Sequence, residues 1–330
     1  MSRRRPLLAV MVVASMGLAA CGDDAPGGQG DGDAAGGTPG ELVAQVASYD
    51  LAAGAPQRFL VGLVGADGGD IVGGEVRLDF RYLGADSEET SEAGGGEVAF
   101  ADVRAGFLPV ADGTAPDAEA EPRLREGGEG VGVYEASEVT FDRPGFWEVT
   151  VHTTVGGDDV EVAAAFQVLA EHQIVDAGDP APRTENLLPG DPDAPPTAID
   201  SRAEDDGTVP DPELHRLTVA DAIATGRPTV VVVSTPVFCV SRFCGPITDS
   251  IQALAGEHGD RANFVHIEVW RDFEAKVVNE GAAEWIYPDP SVDAREPWVF
   301  LIDGDGTVVR RWDNVANQRQ VDEALGELVG

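Results

Sequence analysis

Lysine is nearly missing from this 330-residue chain: Lys276 stands alone beside 21 arginines. Basic residues total 22 against 59 acidic ones, for a formal charge of −37. A surface with that balance repels phosphate backbones and anionic headgroups, so nucleic acid is excluded as a partner. What the charge provides is solubility, and long-range attraction for a basic partner. Methionine is confined to Met1, Met11 and Met16, which excludes a methionine-rich copper tract. Cysteine occurs only as Cys21, Cys239 and Cys244, too few for a disulfide-stapled scaffold or a four-cysteine zinc site. Beyond residue 20 no apolar run approaches the roughly 20 residues that a membrane-spanning helix needs.

What is present begins with a leader. Arg3, Arg4 and Arg5 precede an apolar stretch from Leu7 to Ala20 that is too short to span a bilayer. It ends in Leu18-Ala19-Ala20-Cys21, which resembles a bacterial lipoprotein box. The resemblance implies a signal peptide over residues 1–20 and a diacylglyceryl group on Cys21. The protein would then sit on the extracytoplasmic side of the cell membrane, held by its lipid alone. The alternative is an ordinary secretory signal, with Cys21 a stray thiol. Residues 21–40 are rich in Gly and Asp and carry too little apolar surface to fold, so they read as a flexible tether. With Cys21 lipidated, Cys239 and Cys244 remain as a pair in a compartment that permits a disulfide.

Residues 41–170 read as β throughout. Apolar and charged residues alternate over Glu75–Tyr82, and larger apolar residues recur at every second position from Trp147 to His152 and from Val160 to Val168, so each of these strands has one buried and one wet face. Leu42–Tyr49, Arg58–Val64, Glu97–Val103 and Val133–Phe141 complete about seven short strands, as an immunoglobulin-like β-sandwich requires. The stretch around Pro144-Gly145-Phe146-Trp147 resembles the late hairpin of such domains, and Trp147 is expected in the core. Residues 85–96 and 111–130 are acidic, Gly-rich loops. Residues 171–208 are rich in Pro and carboxylates and read as a linker, partly extended and able to pack on either side.

From residue 209 helices and strands alternate. Thr218-Val219-Ala220-Asp221 has the form of a helix cap. Thr229–Ser234 is a β-branched run without polar alternation, as in a strand covered on both faces. Helices are expected over Pro246–Glu257 and Phe273–Glu284 and in a last segment carrying Val321, Ala324, Leu325 and Leu328 on one face. Phe264–Val269 reads as a strand, and Trp298–Ile302 with Thr307–Trp312 as a hairpin. With the cysteines just after the first strand, residues 209–330 resemble the thioredoxin fold. "TVVVVSTPVFCVSRFCGPI" and "REPWVFLIDGDGTVVRRW" carry that resemblance. The expected fold class is thus multidomain: an all-β immunoglobulin-like sandwich followed by an α/β thioredoxin-like domain. The resemblance further implies a cis Pro297 facing the cysteines, and thiol–disulfide exchange with protein substrates. The family's C-x-x-C is C-x4-C here.

Residues five apart on a regular helix lie about 140° apart around its axis, so the two cysteines cannot face each other from one helix. Val240–Phe243 must then be largely loop. A helix starting at Pro246 would put Cys244 at its positive end, which lowers a thiol pKa, with Arg242 adding to that. Two alignments remain open. Counting from the strand makes Cys239 the attacking thiol and Cys244 the resolving one; matching Cys244-Gly245-Pro246-Ile247 to the family's C-G-P-C reverses the roles. The competing class is a binding lipoprotein with an inert bridge, although closing so short a loop contributes only roughly 2 kcal/mol. No cofactor or resident metal is expected, and a copper metallochaperone is the last-ranked alternative. Copper carriers of this family pair two cysteines with a histidine before the strand at Trp298, where this chain has Arg295-Glu296-Pro297. His266, in mid-strand, reads as packed.

Overall fold

The computed structural model describes residues 42–65, 68–86, 98–110, 120–125, 132–287 and 295–330. Cys21, the leader and the tether lie outside the described residues, as do most of the two acidic loops. The fold is mostly β, in several sheets.

Alternation shapes the first half. It comprises β1 (Leu42–Val46), β2 (Gln57–Gly65), β3 (Asp70–Val72), β4 (Glu75–Gly84), β5 (Val98–Pro109), β6 (Arg123–Arg125), β7 (Gly132–Val139), β8 (Gly145–Val155) and β9 (Asp158–Val168). In β4, Val76, Leu78 and Phe80 are buried while Glu75 and Arg77 are exposed, so the period of two puts one face inward. Hydrogen bonds run in the order β6-β3-β2-β7-β5-β4-β8-β9, with β1 added to β2. Where seven strands in two sheets were expected, nine strands share one sheet. The reason is β5: its first part pairs with β4, and from Gly106 to Pro109 it pairs with β7, carrying the ladder from one strand to the other. β3 and β6 are three residues each, too short to show an alternation in sequence. The interior is aromatic. Phe59 meets Phe80 edge-on at 5.0 Å, and Phe141 meets Trp147 at 5.1 Å. Gly145 opens β8 with φ of 133°, and a Cβ there would stand 2.5 Å from the Gly84 carbonyl oxygen, so this close approach needs glycine.

The second half contains β10 (Thr229–Ser234), β11 (Asn263–Glu268), β12 (Trp270–Asp272), β13 (Val277–Val278), β14 (Trp298–Ile302) and β15 (Val308–Asp313). Its helices are α1 (Val219–Ala224), α2 (Cys244–His258), α3 (Glu280–Ile286) and α4 (Gln318–Val329). A four-stranded sheet runs β11-β10-β14-β15; β10 and β11 are parallel and the other pairs antiparallel. Every residue of β10 is buried, as its β-branched run requires. Val230 and Val232 face a core shared with Ile247, Ile251 and Leu254 of α2 and Val321 and Leu325 of α4. Val231 and Val233 face the opposite core, with Ile223 of α1 and Trp285 of α3. The first of these cores also takes in Ala47, just after β1, and Leu60, Leu108 and Val133 from the nine-stranded sheet.

Two local expectations change. Thr218 does cap α1, accepting from the Asp221 amide at 3.1 Å. The helix expected over Phe273–Glu284, however, is confined to Glu280–Ile286. Ahead of it Asp272 accepts the Ala275 amide and Lys276 takes a φ of 57°, which turns the chain into the β12–β13 hairpin. α2 begins at Cys244 instead of Pro246, which leaves Pro246 in the first turn, where a missing N–H costs nothing. The 171–208 stretch is built into the fold: Ile174, Ala181, Thr184, Asn186, Ala198, Ile199 and Asp200 are all buried. Its backbone finds partners there, Gly178 N donating to the Val308 carbonyl and Ala181 N to that of Gly306.

Candidate functional site

β10 delivers the chain to a turn at Thr235–Phe238, and the turn leads to Cys239. Arg242, with φ of 61°, reverses the backbone so that Cys244 can start α2 beneath Cys239. The left-handed turn overcomes the helical geometry that would hold residues five apart on different faces, and Cys239 and Cys244 form a disulfide with Cα atoms 6.0 Å apart. The two sulfurs differ in access. Cys239 is partly exposed, whereas Cys244 is 0% exposed. Ile247 and Thr248 lock the first turn of α2 beneath it, with Thr248 Oγ1 donating to the Cys244 carbonyl at 2.8 Å.

Around the bridge the sequence brings together what composition could not. The Glu296–Pro297 peptide bond is cis, and buried Pro297 leads directly into β14. Cys239 Sγ, Cys244 Sγ and a Glu296 carboxylate oxygen all lie within 4.8 Å of one another. Burial pushes the Glu296 carboxyl up to about 7, and the charge of Glu268 pushes the same way. Ser241 Oγ stands 3.3 Å from both Cys239 Sγ and the Glu296 carbonyl oxygen. Tyr49, from the end of the β1 segment, places its hydroxyl 3.0 Å from that carbonyl and 2.6 Å from Asn314 Oδ1, and burial raises its phenol far above the usual range. Asn314 closes the loop, its amide donating to the Pro297 carbonyl and its side chain to that of Ala47.

Arg242 does not serve the thiols. Its guanidinium pairs with Asp70 of β3 at 3.1 Å, so its charge is matched by a carboxylate on the other sheet. Glu296, Ser241 and Tyr49 carry no signal in the local sequence, because Tyr49 and Glu296 meet across 247 positions.

Beside the bridge lies an apolar rim. Val240 is 92% exposed and Val237 55%. Phe238 stacks on Phe273 at 4.1 Å with the rings nearly parallel, and Lys276 Nζ sits 3.4 Å above Phe273. Chemically, the arrangement offers one reachable sulfur, one covered sulfur at a helix start and a carboxyl that titrates near neutrality. Among the described residues, no helix is long and apolar enough to cross a membrane. Comparison of the chain with protein-family models, with curated proteins and with solved structures finds no match to any of them.

Proposed function

We propose that this protein exchanges thiols and disulfides with other proteins through Cys239 and Cys244, from a thioredoxin-like C-terminal half tethered to the membrane by lipid on Cys21. The observation that carries this reading is the unequal access of the two sulfurs. Support for the scaffold comes from the strand order β11-β10-β14-β15, the helix that starts at the second cysteine, and the cis proline before β14.

In the exchange a partner thiolate attacks Cys239 Sγ, forming a mixed disulfide and expelling Cys244 as thiolate. Glu296 is placed to protonate that thiolate, and the α2 N-terminus favours the anion until it does. A second partner thiolate then attacks the partner's own sulfur and releases Cys239. The partner dithiol loses two electrons and two protons, and both appear on the reduced pair. Run backwards, Cys239 attacks a partner disulfide and Cys244 resolves it. Pro297 shapes the groove, and Val237 and Val240 offer apolar contact to an extended partner segment.

Trapping decides the roles. Cys244→Ser is expected to accumulate mixed disulfides with protein partners, and Cys239→Ser none. Accumulation on Cys239→Ser would reverse the roles. Accumulation on neither would leave a binding lipoprotein with an inert bridge.

A further inference from the structure

The 171–216 region, rich in proline and carboxylates, holds a second cluster that the exchange reading does not use. Asp200 follows a 3-10 turn at Pro196–Ala198, His215 follows another at Pro212–Leu214, and His266 lies in the middle of β11. All three are buried, at 0%, 3% and 1% exposure. Asp200 Oδ2 stands 3.5 Å from His215 Nε2 and 3.5 Å from His266 Nδ1, and all three donor atoms lie within 4.8 Å of one another. These are ion-pair distances without hydrogen-bond geometry: among the described residues, neither ring nitrogen of His215, nor Nδ1 of His266, has a hydrogen-bond partner. Buried polar atoms left this way destabilise a fold unless something unseen satisfies them.

The tautomer sharpens the point. His266 Nε2 faces the Ser234 carbonyl at 3.3 Å, and a carbonyl only accepts, so the proton sits on Nε2. In the neutral ring Nδ1 is then a lone pair aimed at a carboxylate oxygen. The Arg202 guanidinium already holds that oxygen at 2.8 Å, and a cation between the ring and the carboxylate would satisfy the electron pair on Nδ1 as well. A ring that gives its other N–H to a backbone carbonyl is also the usual outer-shell arrangement of a metal-ligating histidine. Spacing agrees: two ligand atoms at about 2.0–2.1 Å from a tetrahedral zinc stand about 3.4 Å apart. Charge agrees as well. Arg202 is the one guanidinium shared by Asp200, Asp211 and Asp249, at 2.8, 2.6 and 2.9 Å, so negative charge is left over.

We propose that Asp200, His215 and His266 form a structural site for one divalent transition-metal ion of the zinc type. One Asp200 oxygen, His215 Nε2 and His266 Nδ1 supply three donors, and a solvent oxygen completes the tetrahedron. The ion staples the 196–216 segment to β11. That gives this stretch of low apolar content a reason to be ordered.

The test uses the full chain in its oxidised form, so that the paired cysteines are not thiolate donors. After stripping with a strong chelator, zinc is titrated against a chromophoric chelator and the zinc-loaded protein is measured by X-ray absorption. The proposal expects one equivalent bound, only nitrogen and oxygen around the metal, and a Tm that rises with zinc and falls back with chelator. His215→Gln and His266→Gln are expected to bind at least tenfold more weakly. His258→Gln, whose ring pairs with Asp322, keeps the full equivalent. Because the X-ray absorption and Tm readings are made on the wild-type chain, a variant that fails to fold leaves the test intact. No equivalent bound by the stripped wild-type chain would overturn the site. So would sulfur in the coordination shell, or an unchanged equivalent in folded His215→Gln and His266→Gln.

Discussion

Between β1 and β9 the interior is filled by Phe59, Phe80, Phe141, Trp147 and aliphatic neighbours, and few ionisable groups are covered. Between the 3-10 turn at Pro196 and α4 the covered positions include Asp200, His215, His266 and Glu268, together with Ser234, Thr235 and Thr248 around the start of α2. Covering polar groups costs free energy unless each is paired, so an interior that keeps them reflects chemistry more than stability. The interior beside the nine-stranded sheet is mainly apolar, whereas the four-stranded layer covers most of the buried polar and ionisable groups named above. Yet the first is more than a spacer. Tyr49 holds the Glu296 carbonyl, Asp70 holds Arg242, and Asp50 pairs with Arg311 of β15 at 2.8 Å. The aromatic half therefore braces the loops that frame the disulfide.

The strongest break in that contrast is Phe80→Ala. It empties the aromatic core and is expected to lower stability by roughly 3–5 kcal/mol in urea unfolding, while the folded fraction keeps its reduction potential. A changed potential in that variant would show that the two interiors are coupled. Asp50→Ala comes next. Removing one member of a pair this deep costs on the order of 3 kcal/mol. The Asp50 carboxyl feels burial pushing it up, but the His172 and Arg311 contacts prevail and hold it at about 2. Its contribution is complete above pH 4 and is lost as pH falls toward 2, so Asp50→Asn is expected to flatten the acid limb of the stability curve in that window.

Which parts of this were legible beforehand follows from distance along the chain. The β-branched run Thr229–Ser234 and the alternation over Glu75–Tyr82 act within a few residues, and both specify buried strands. Three-residue strands such as β3 and β6 are too short to carry a period. Glu280–Ile286 keeps its helix, but a left-handed Lys276 overrides the preceding apolar spacing. The Asp200–His215–His266 cluster was hidden for another reason. Its members come from two turns and a strand, and the Pro-rich context of Asp200 reads as exposed. Cys239 and Cys244 were conspicuous as a pair, whereas Glu296, their carboxyl neighbour, sits 52 positions beyond Cys244 and has no motif.

Two smaller effects sharpen the contrast. Glu296 carries a folded-state pKa raised from 4.5 to about 7, so it favours folding below pH 4.5 and loses that contribution as pH rises through 7. Glu296→Gln is expected to remove this slope and to raise the urea midpoint at pH 8 relative to the parent chain. An identical pH 5 to pH 8 difference in both proteins would contradict the burial assigned to that carboxyl. Arg242→Ala should do least. Its guanidinium is half exposed, so losing the Asp70 pair costs less than about 1 kcal/mol.

The most direct measurement is the reduction potential of the Cys239–Cys244 pair in the full chain, equilibrated against a glutathione or dithiothreitol buffer. A sulfur open to partners and a carboxyl ready to protonate its neighbour predict a potential above about −300 mV, with turnover in an insulin-reduction or scrambled-substrate assay. A pair that stays oxidised below that value and turns over neither substrate would contradict the account.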